Sequence, residues 1–251
     1  MMSKVAVVVA SSNTGAACVK ALRNQDAVRV SVRAAFRSAD KAELYKAEAG
    51  LSANVEVISG VDAYDTASLG NAFAGCETAV VVTPHDMSRG FDDDAMLTLN
   101  MINAAVASGV KHLIYVGSWT VTEPDGVGMI AKRFIPAEKK LEELISSNPD
   151  FTFSSLRSGF FNLNLVNMFG SLRKGNELRF PKECSFPPVD PRDVGKAAAA
   201  LALVPPEQRK SGYVFFERSG FVLGLLIIRI AFVLFFIRFI NGQANQHCTP
   251  I

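Results

Sequence analysis

The sequence predicts an α/β protein built on a doubly wound parallel sheet, and three observations predict it. Short β-branched runs alternate with longer stretches of helical periodicity along most of the chain, the pattern of a parallel sheet covered on both faces. The first run, residues 5–9, is nearly continuous valine, as a strand buried on both sides requires. It turns through small, hydrogen-bonding residues, Ser11, Ser12, Asn13 and Thr14, straight into a helical pattern.

The elements follow in order. After the strand at 5–9 a helix is expected over 14–23, with Ala17, Val19 and Leu22 on its apolar face. The second strand, 28–36, leads into a charged helix over 38–48. Residues 54–58 read as the third strand, with a short helix over 68–74 behind it. The fourth strand, 78–82, precedes a long helix over 93–107 that ends at Gly109, since glycine leaves a helix easily through a left-handed turn. A fifth strand at 111–116 is followed by a helix over 135–146, with Glu138, Glu142 and Glu143 assigned to its solvent side. The sixth strand is 151–156, an Ala-rich helix spans 192–203, and the seventh strand is 213–216. Seven strands joined by helices imply right-handed crossovers.

The chain has 251 residues, enough for one large domain with an appendage. Its 26 basic and 24 acidic residues leave a net charge of +2 and no long basic run, so no direct nucleic-acid binding is expected. Cys18, Cys76, Cys184 and Cys248 stand far apart without a C-x-x-C pair. They read as reduced thiols of a cytoplasmic protein, with no metal site. The apolar start is short and β-branched, a strand and not a signal peptide.

Six stretches, in this order, resemble the NmrA-like family of atypical short-chain dehydrogenase/reductases, proteins with an NAD(P)-binding Rossmann fold. They are Val-Ala-Ser-Ser-Asn-Thr-Gly (9–15), Arg-Ala-Ala-Phe-Arg-Ser-Ala-Asp-Lys (33–41) and Ala-Gly-Cys-Glu-Thr-Ala-Val-Val-Val-Thr-Pro (74–84). Then come Gly-Val-Lys-His-Leu-Ile-Tyr-Val-Gly-Ser (109–118), Leu-Arg-Ser-Gly-Phe-Phe-Asn-Leu-Asn-Leu (156–165) and Val-Asp-Pro-Arg-Asp-Val-Gly (189–195). The resemblance covers roughly residues 4 to 219 and makes 1–219 the expected dinucleotide-binding domain.

The resemblance implies a phosphate-binding turn with three glycines, and here Val9, Ser12 and Gly15 fill those positions. The first glycine serves the tight turn, the second the close approach of pyrophosphate, and the third helix–strand packing. Ser11, Ser12, Asn13, Thr14 and the helix N-terminus still offer hydrogen-bond donors to a phosphate; the alternative is a turn that binds nothing. At the end of the second strand Arg37, with Lys41 one turn on, suits a 2′-phosphate and so favours NADP(H) over NAD(H). Otherwise both are solvated charges. By the same resemblance Asp62 belongs near the adenine, and Thr83, Pro84, Phe161 and Asn164 along the cofactor. Asp190 and Asp193 read as helix-capping residues.

Catalysis is harder to place. Many of these dehydrogenases use Tyr-x-x-x-Lys, in which lysine and cofactor lower the tyrosine pKa. Four residues after Tyr45, Tyr64, Tyr115 and Tyr213 stand Ala49, Ser68, Trp119 and Glu217, so the motif is absent. Lys139 or Lys140 falls where a lone catalytic lysine would sit, or is a helix charge paired with Glu143. Ser118 and His85 also belong to the ligand-binding edge, with a strand-end cap and an ordinary loop residue as the plainer readings. Three functions stay open: a regulatory or redox-sensing dinucleotide binder, an NADPH-dependent reductase of small carbonyl or quinone substrates, and a membrane-tethered interaction protein without cofactor.

Composition changes at Gly220, and 220–251 is expected to form a separate segment with an apolar C-terminal helix and a truncated substrate region. The helix either anchors the domain in a membrane across 221–240, or is a domain helix buried on all sides, or is an abnormal end in place of the substrate-side helices that the resemblance implies. Of residues 221–240, 16 are Leu, Ile, Val or Phe, together worth about −5 to −10 kcal/mol of insertion against about +3 for the central Arg229. Twenty residues suffice to cross a hydrocarbon core. Arg209, Lys210 and Arg218 precede the segment and no lysine or arginine follows Arg238, which places the domain on the cytosolic side. The full-length chain is therefore expected to pellet after carbonate extraction and to return to solution in detergent, while a chain ending at Gly220 stays soluble. If both remain in the supernatant, the tether is wrong.

Overall fold

The computed structural model describes residues 3–25, 30–49, 52–84, 90–122, 128–164 and 188–216. The segment 221–240, the tail after it, His85, Cys184 and Cys248 lie outside the described residues. No helix among the described residues is long and apolar enough to cross a membrane.

The elements are β1 (Ser3–Val8), α1 (Asn13–Arg23), β2 (Val30–Ala35), α2 (Ala39–Ala49), β3 (Val55–Ile58), α3 (Thr66–Phe73), β4 (Thr78–Val82) and α4 (Phe91–Ala107). They continue as β5 (His112–Ser118), α5 (Ile135–Ser147), β6 (Thr152–Ser158), β7 (Phe160–Phe161), β8 (Pro188–Val189), α6 (Pro191–Ala202) and β9 (Gly212–Phe216). Seven strands form one sheet in the order β3-β2-β1-β4-β5-β6-β9. Every pairing in it is parallel. The order reverses between β1 and β4, which opens a crevice at their carboxyl ends where ligands bind in such sheets. A second ladder pairs Phe160 with Pro188 and Phe161 with Val189. No local pattern announces it, because its strands are two residues each and far apart in sequence.

The period of two along the central strands sorts their side chains into two layers. Ala6, Val8, Ala79, Val81, Leu113 and Tyr115 face one layer, closed by Leu69 and Phe73 of α3, Met101 and Ile102 of α4, and Leu141 of α5. Val5, Val7, Val80, Ile114 and Val116 face the other, closed by Cys18, Val19 and Leu22 of α1 and Val194 and Ala198 of α6. β4 and β5 are buried along their whole length, which is why their sequences read as near-continuous apolar runs with polar residues only at the ends.

One close approach sets the helix α6 against α1. A Cβ at Gly195 would meet Thr14 O at 2.3 Å and Cys18 N at 2.9 Å, so backbone lies on backbone there. Asp190 caps α6 by accepting from Arg192 N at 2.8 Å.

One assignment on α5 is corrected. Glu138 is 5% exposed and belongs to the buried stripe with Phe134, Ala137 and Leu141, spaced as one helix face. Arg157 of β6 draws it inward: Arg157 Nη2 donates to Glu138 Oε2 at 2.7 Å, and Ser155 Oγ donates to Oε1 at 2.7 Å. Burial holds the Glu138 carboxyl above its usual range although Arg157 opposes the shift. Glu142 and Glu143 are on the solvent side as expected.

At the opposite, amino edge of the sheet His112 is 1% exposed, with Nδ1 2.8 Å from Thr152 Oγ1. Burial, reinforced by the Arg209 charge, pushes its pKa down to about 4. The unfolded chain binds this proton from about pH 6.5 downward and the folded chain does not. The neutral histidine therefore contributes stability that is complete above about pH 6.5 and lost as pH falls towards about 4, in all about 3 kcal/mol. His112→Asn, compared with wild type by urea unfolding between pH 7 and 4.5, should show a shallower pH dependence; equal slopes would refute this origin.

Candidate functional site

The turn between β1 and α1 keeps the geometry of a glycine-rich loop with one glycine in it. Val9 has φ 63°, the left-handed region, which costs a β-branched residue about 1–2 kcal/mol. Tight hydrogen bonds hold it there. Ser12 N donates to Val9 O at 3.0 Å, and Ala10 N donates to Ala35 O at 3.1 Å. Ser12 is the N-cap of α1. Its Oγ donates to Val9 O at 2.9 Å and accepts from Gly15 N at 3.0 Å. A Cβ on Gly15 would lie 2.4 Å from Val9 O, so only glycine fits the third position. Asn13 and Thr14 stand in the first helical turn, whose N–H groups have no carbonyl partner within the helix and carry the positive end of its dipole.

The neighbouring strand exits are laced to this turn. Phe36 N donates to Ile58 O at 2.9 Å and Val61 N to Phe36 O at 3.1 Å. That brings Arg37 and Ser38, after β2, beside Asp62, after β3. Arg37 and Lys41 are exposed, and neither forms an ion pair among the described residues. Ser38 Oγ accepts from Lys41 N at 3.3 Å, starting α2. The Asp62 carboxylate accepts from Tyr64 N at 3.0 Å, and its backbone N–H donates to Ser68 Oγ at 3.0 Å.

Beyond β4, Thr83 is 9% exposed, and its hydroxyl lies 3.1 Å from Tyr115 Oη. Pro84 O accepts from Arg133 at 3.1 Å. Sequence reasoning missed Arg133, because its ionic partner Asp94 lies on another helix and no local spacing joins them. Ser118 closes β5 as a cap: its Oγ accepts from Thr120 N at 3.3 Å and Thr120 Oγ1 at 3.0 Å.

The structure places the lysine candidates on the outside of α5. Lys139 is exposed, and Lys140 Nζ lies 3.5 Å from Glu143. Phe161, in β7, packs half-buried against the α1–α6 layer, and Asn164 is exposed. No tyrosine is poised for proton transfer near neutrality among those with a shifted pKa. Burial raises Tyr115, Tyr213 and Tyr45, and Tyr213 is held up further by its hydrogen bond to Glu142.

A parallel sheet in this order, with a capped turn and helix N-terminus at its switch point, defines the Rossmann class of α/β proteins. The chain belongs to the NmrA-like family, whose model matches residues 1–218. It is similar to the NmrA-like family domain-containing oxidoreductase himF of Aspergillus japonicus, 32% identical over 144 residues, 55% of this chain and 41% of that protein. The chain thus spans less than half the length of the curated relatives it matches. Its fold is also that of Citrobacter sp. triphenylmethane reductase complexed with NADP(H), with a TM-score of 0.64 at 20% identity, over 81% of this chain and 66% of that one. It matches Nmra, a negative transcriptional regulator, with a TM-score of 0.62 at 21% identity, over 86% of this chain and 67% of that one.

The Ser12 hydroxyl has a separable role as a helix cap. Ser12→Ala should lose about 1 kcal/mol of stability and Ser12→Gly only a few tenths, measured by urea unfolding. An alanine variant as stable as wild type would show that the cap contributes nothing.

Proposed function

We propose that this chain is an NADP(H)-binding protein of the cytoplasm that acts as a redox-sensing or regulatory dinucleotide binder. The observation that carries the reading is the β1–α1 turn, which keeps its left-handed residue although valine occupies it. Strained backbone of this kind clusters at ligand-binding sites. The fit is partial: Gly15 keeps the close packing of α1 on the β1 turn, Ser12 stands where a glycine would admit the pyrophosphate, and the N–H groups of Asn13 and Thr14 in the first helical turn, beside Ser11 and Ser12, would receive it. Arg37 and Lys41 would take the 2′-phosphate, Asp62 the adenine side, and Thr83, Pro84, Phe161 and Asn164 the nicotinamide side. When bound, the nicotinamide supplies a hydride; the chain supplies binding and orientation. The regulatory reading is supported by the tyrosines, none of which is followed four residues on by lysine.

A second reading, an NADPH-dependent reductase of small carbonyl or quinone substrates with Lys139 or Lys140 as the polar group, is favoured by the oxidoreductase among its relatives. Both readings require the nucleotide. Calorimetry should show NADPH binding more tightly than NADH, with Arg37→Ala lowering NADPH affinity about tenfold or more and leaving NADH unchanged. Equal affinities in the wild type would sink the NADP(H) assignment, and turnover screening with quinones separates the two readings.

A further inference from the structure

Arg133 ends the 3-10 turn Met129–Arg133 that leads into α5. Its side chain is 12% exposed, and its Nε lies 2.8 Å from Oδ2 of Asp94, 2% exposed, in the first turn of α4. Nη2 donates to the Pro84 carbonyl at 3.1 Å. The guanidinium rests over the Phe91 and Phe134 rings, 5.8 and 5.2 Å from their centroids. One side chain therefore ties the exit of β4 to the starts of α4 and α5.

The residue before Pro84 is held by a chain of hydroxyls. Thr98 Oγ1 donates to Asp94 O at 2.8 Å and lies 3.3 Å from Thr83 Oγ1. Thr83 Oγ1 is in turn 3.1 Å from Tyr115 Oη in the core. The pair Thr83–Pro84 thus has a fixed hydroxyl and a fixed carbonyl, both anchored through α4.

Stability gives little reason for this arrangement. Burying an ion pair costs desolvation, and an apolar pair of the same shape is often as stable. Arginine's planar fork, however, reaches a carboxylate and a carbonyl at once, which a lysine ammonium on its flexible stem does not. The carbonyl it fixes lies at the end of β4, the strand beside β1 across the reversal of strand order, where the wall of the ligand crevice must be.

We propose that Arg133 is a positioning residue for the nucleotide: it holds the Thr83–Pro84 edge of the crevice through the Pro84 carbonyl, with Asp94 as its counter-charge. This rests on the dinucleotide reading above. Arg133→Lys keeps the charge beside Asp94 and loses the fork. A double variant, Asp94→Leu with Arg133→Met, removes the pair without orphaning either charge.

The test uses the full chain, NADPH titration by calorimetry, thermal unfolding, and the fluorescence of bound NADPH. Arg133→Lys should melt within a few degrees of wild type, while its Kd for NADPH rises about tenfold and the bound emission moves towards that of free NADPH. The folded double variant should lose affinity to a similar degree. Wild-type affinity and emission in either folded variant overturn the positioning role and leave the nucleotide reading intact. A wild type that binds neither NADPH nor NADH overturns both. Should Arg133→Lys fail to fold, the double variant decides by the same criteria.

Discussion

Backbone lies against backbone at the first turn of α1, and the arrangement of the site depends on it. Gly15 sits where a Cβ would strike Val9 O, and Gly195 where one would strike Thr14 O. The end of β1, the start of α1 and the first turns of α6 therefore stack with only the small side chains of Ser12 and Ala17 at the contacts. Interiors are packed too densely to absorb an added methyl at such points without strain. The same contact aims the α1 N-terminus over the crevice between β1 and β4, so the packing of one helix pair also orients the positive end of a dipole.

Buried arginines supply the second layer of order. Arg33 donates to the carbonyls of Asn71, Ala72 and Ala74, closing the end of α3, while its Nε binds Glu56. Arg157 joins β6 to Glu138 of α5 and lies 3.9 Å above the Tyr213 ring of β9. Arg209 reaches Glu77 at 2.6 Å and the Val204 carbonyl at 3.0 Å. Each links elements distant in sequence; removing Arg157 would leave the buried Glu138 carboxylate unmatched, and removing Arg33 the buried Ala72 carbonyl. Burying such pairs costs desolvation, so their net contribution to stability is modest.

The carboxyl edge combines a well-held scaffold with sparse chemistry. Val9, Ser12 and Gly15 form a turn bonded to itself and to β2, and Thr83 and Ser118 spend their hydroxyls on structural partners. Arg37 and Lys41 face solvent at the end of β2, with the exposed Asp40 between them. Burial raises the pKa of Tyr45, Tyr115 and Tyr213, and the hydroxyl of Tyr115 is engaged with Thr83.

The sequence by itself determined the sheet and its layers. Val5–Val8, Thr78–Val82 and the run from His112 onward carry an apolar pattern that only a doubly covered strand satisfies, and boundaries agree within a few residues. The order of motifs likewise placed the turn at 9–15 and the charged exit at Arg37. Local pattern is enough for these because each residue's periodicity reports its own face. It could not show that Glu138 turns inward, since the reason is Arg157 on a strand 19 positions away. Nor could it show that Val9 keeps a glycine's backbone angle, because the hydrogen bonds of Ser12 and Ala10 impose it. Arg133 and the β7–β8 ladder were equally invisible, as both exist only through contacts between distant segments. Side chains that answer to the next residues on their own element are legible in one dimension; those that answer to a partner across the fold are decided only when the chain closes on itself.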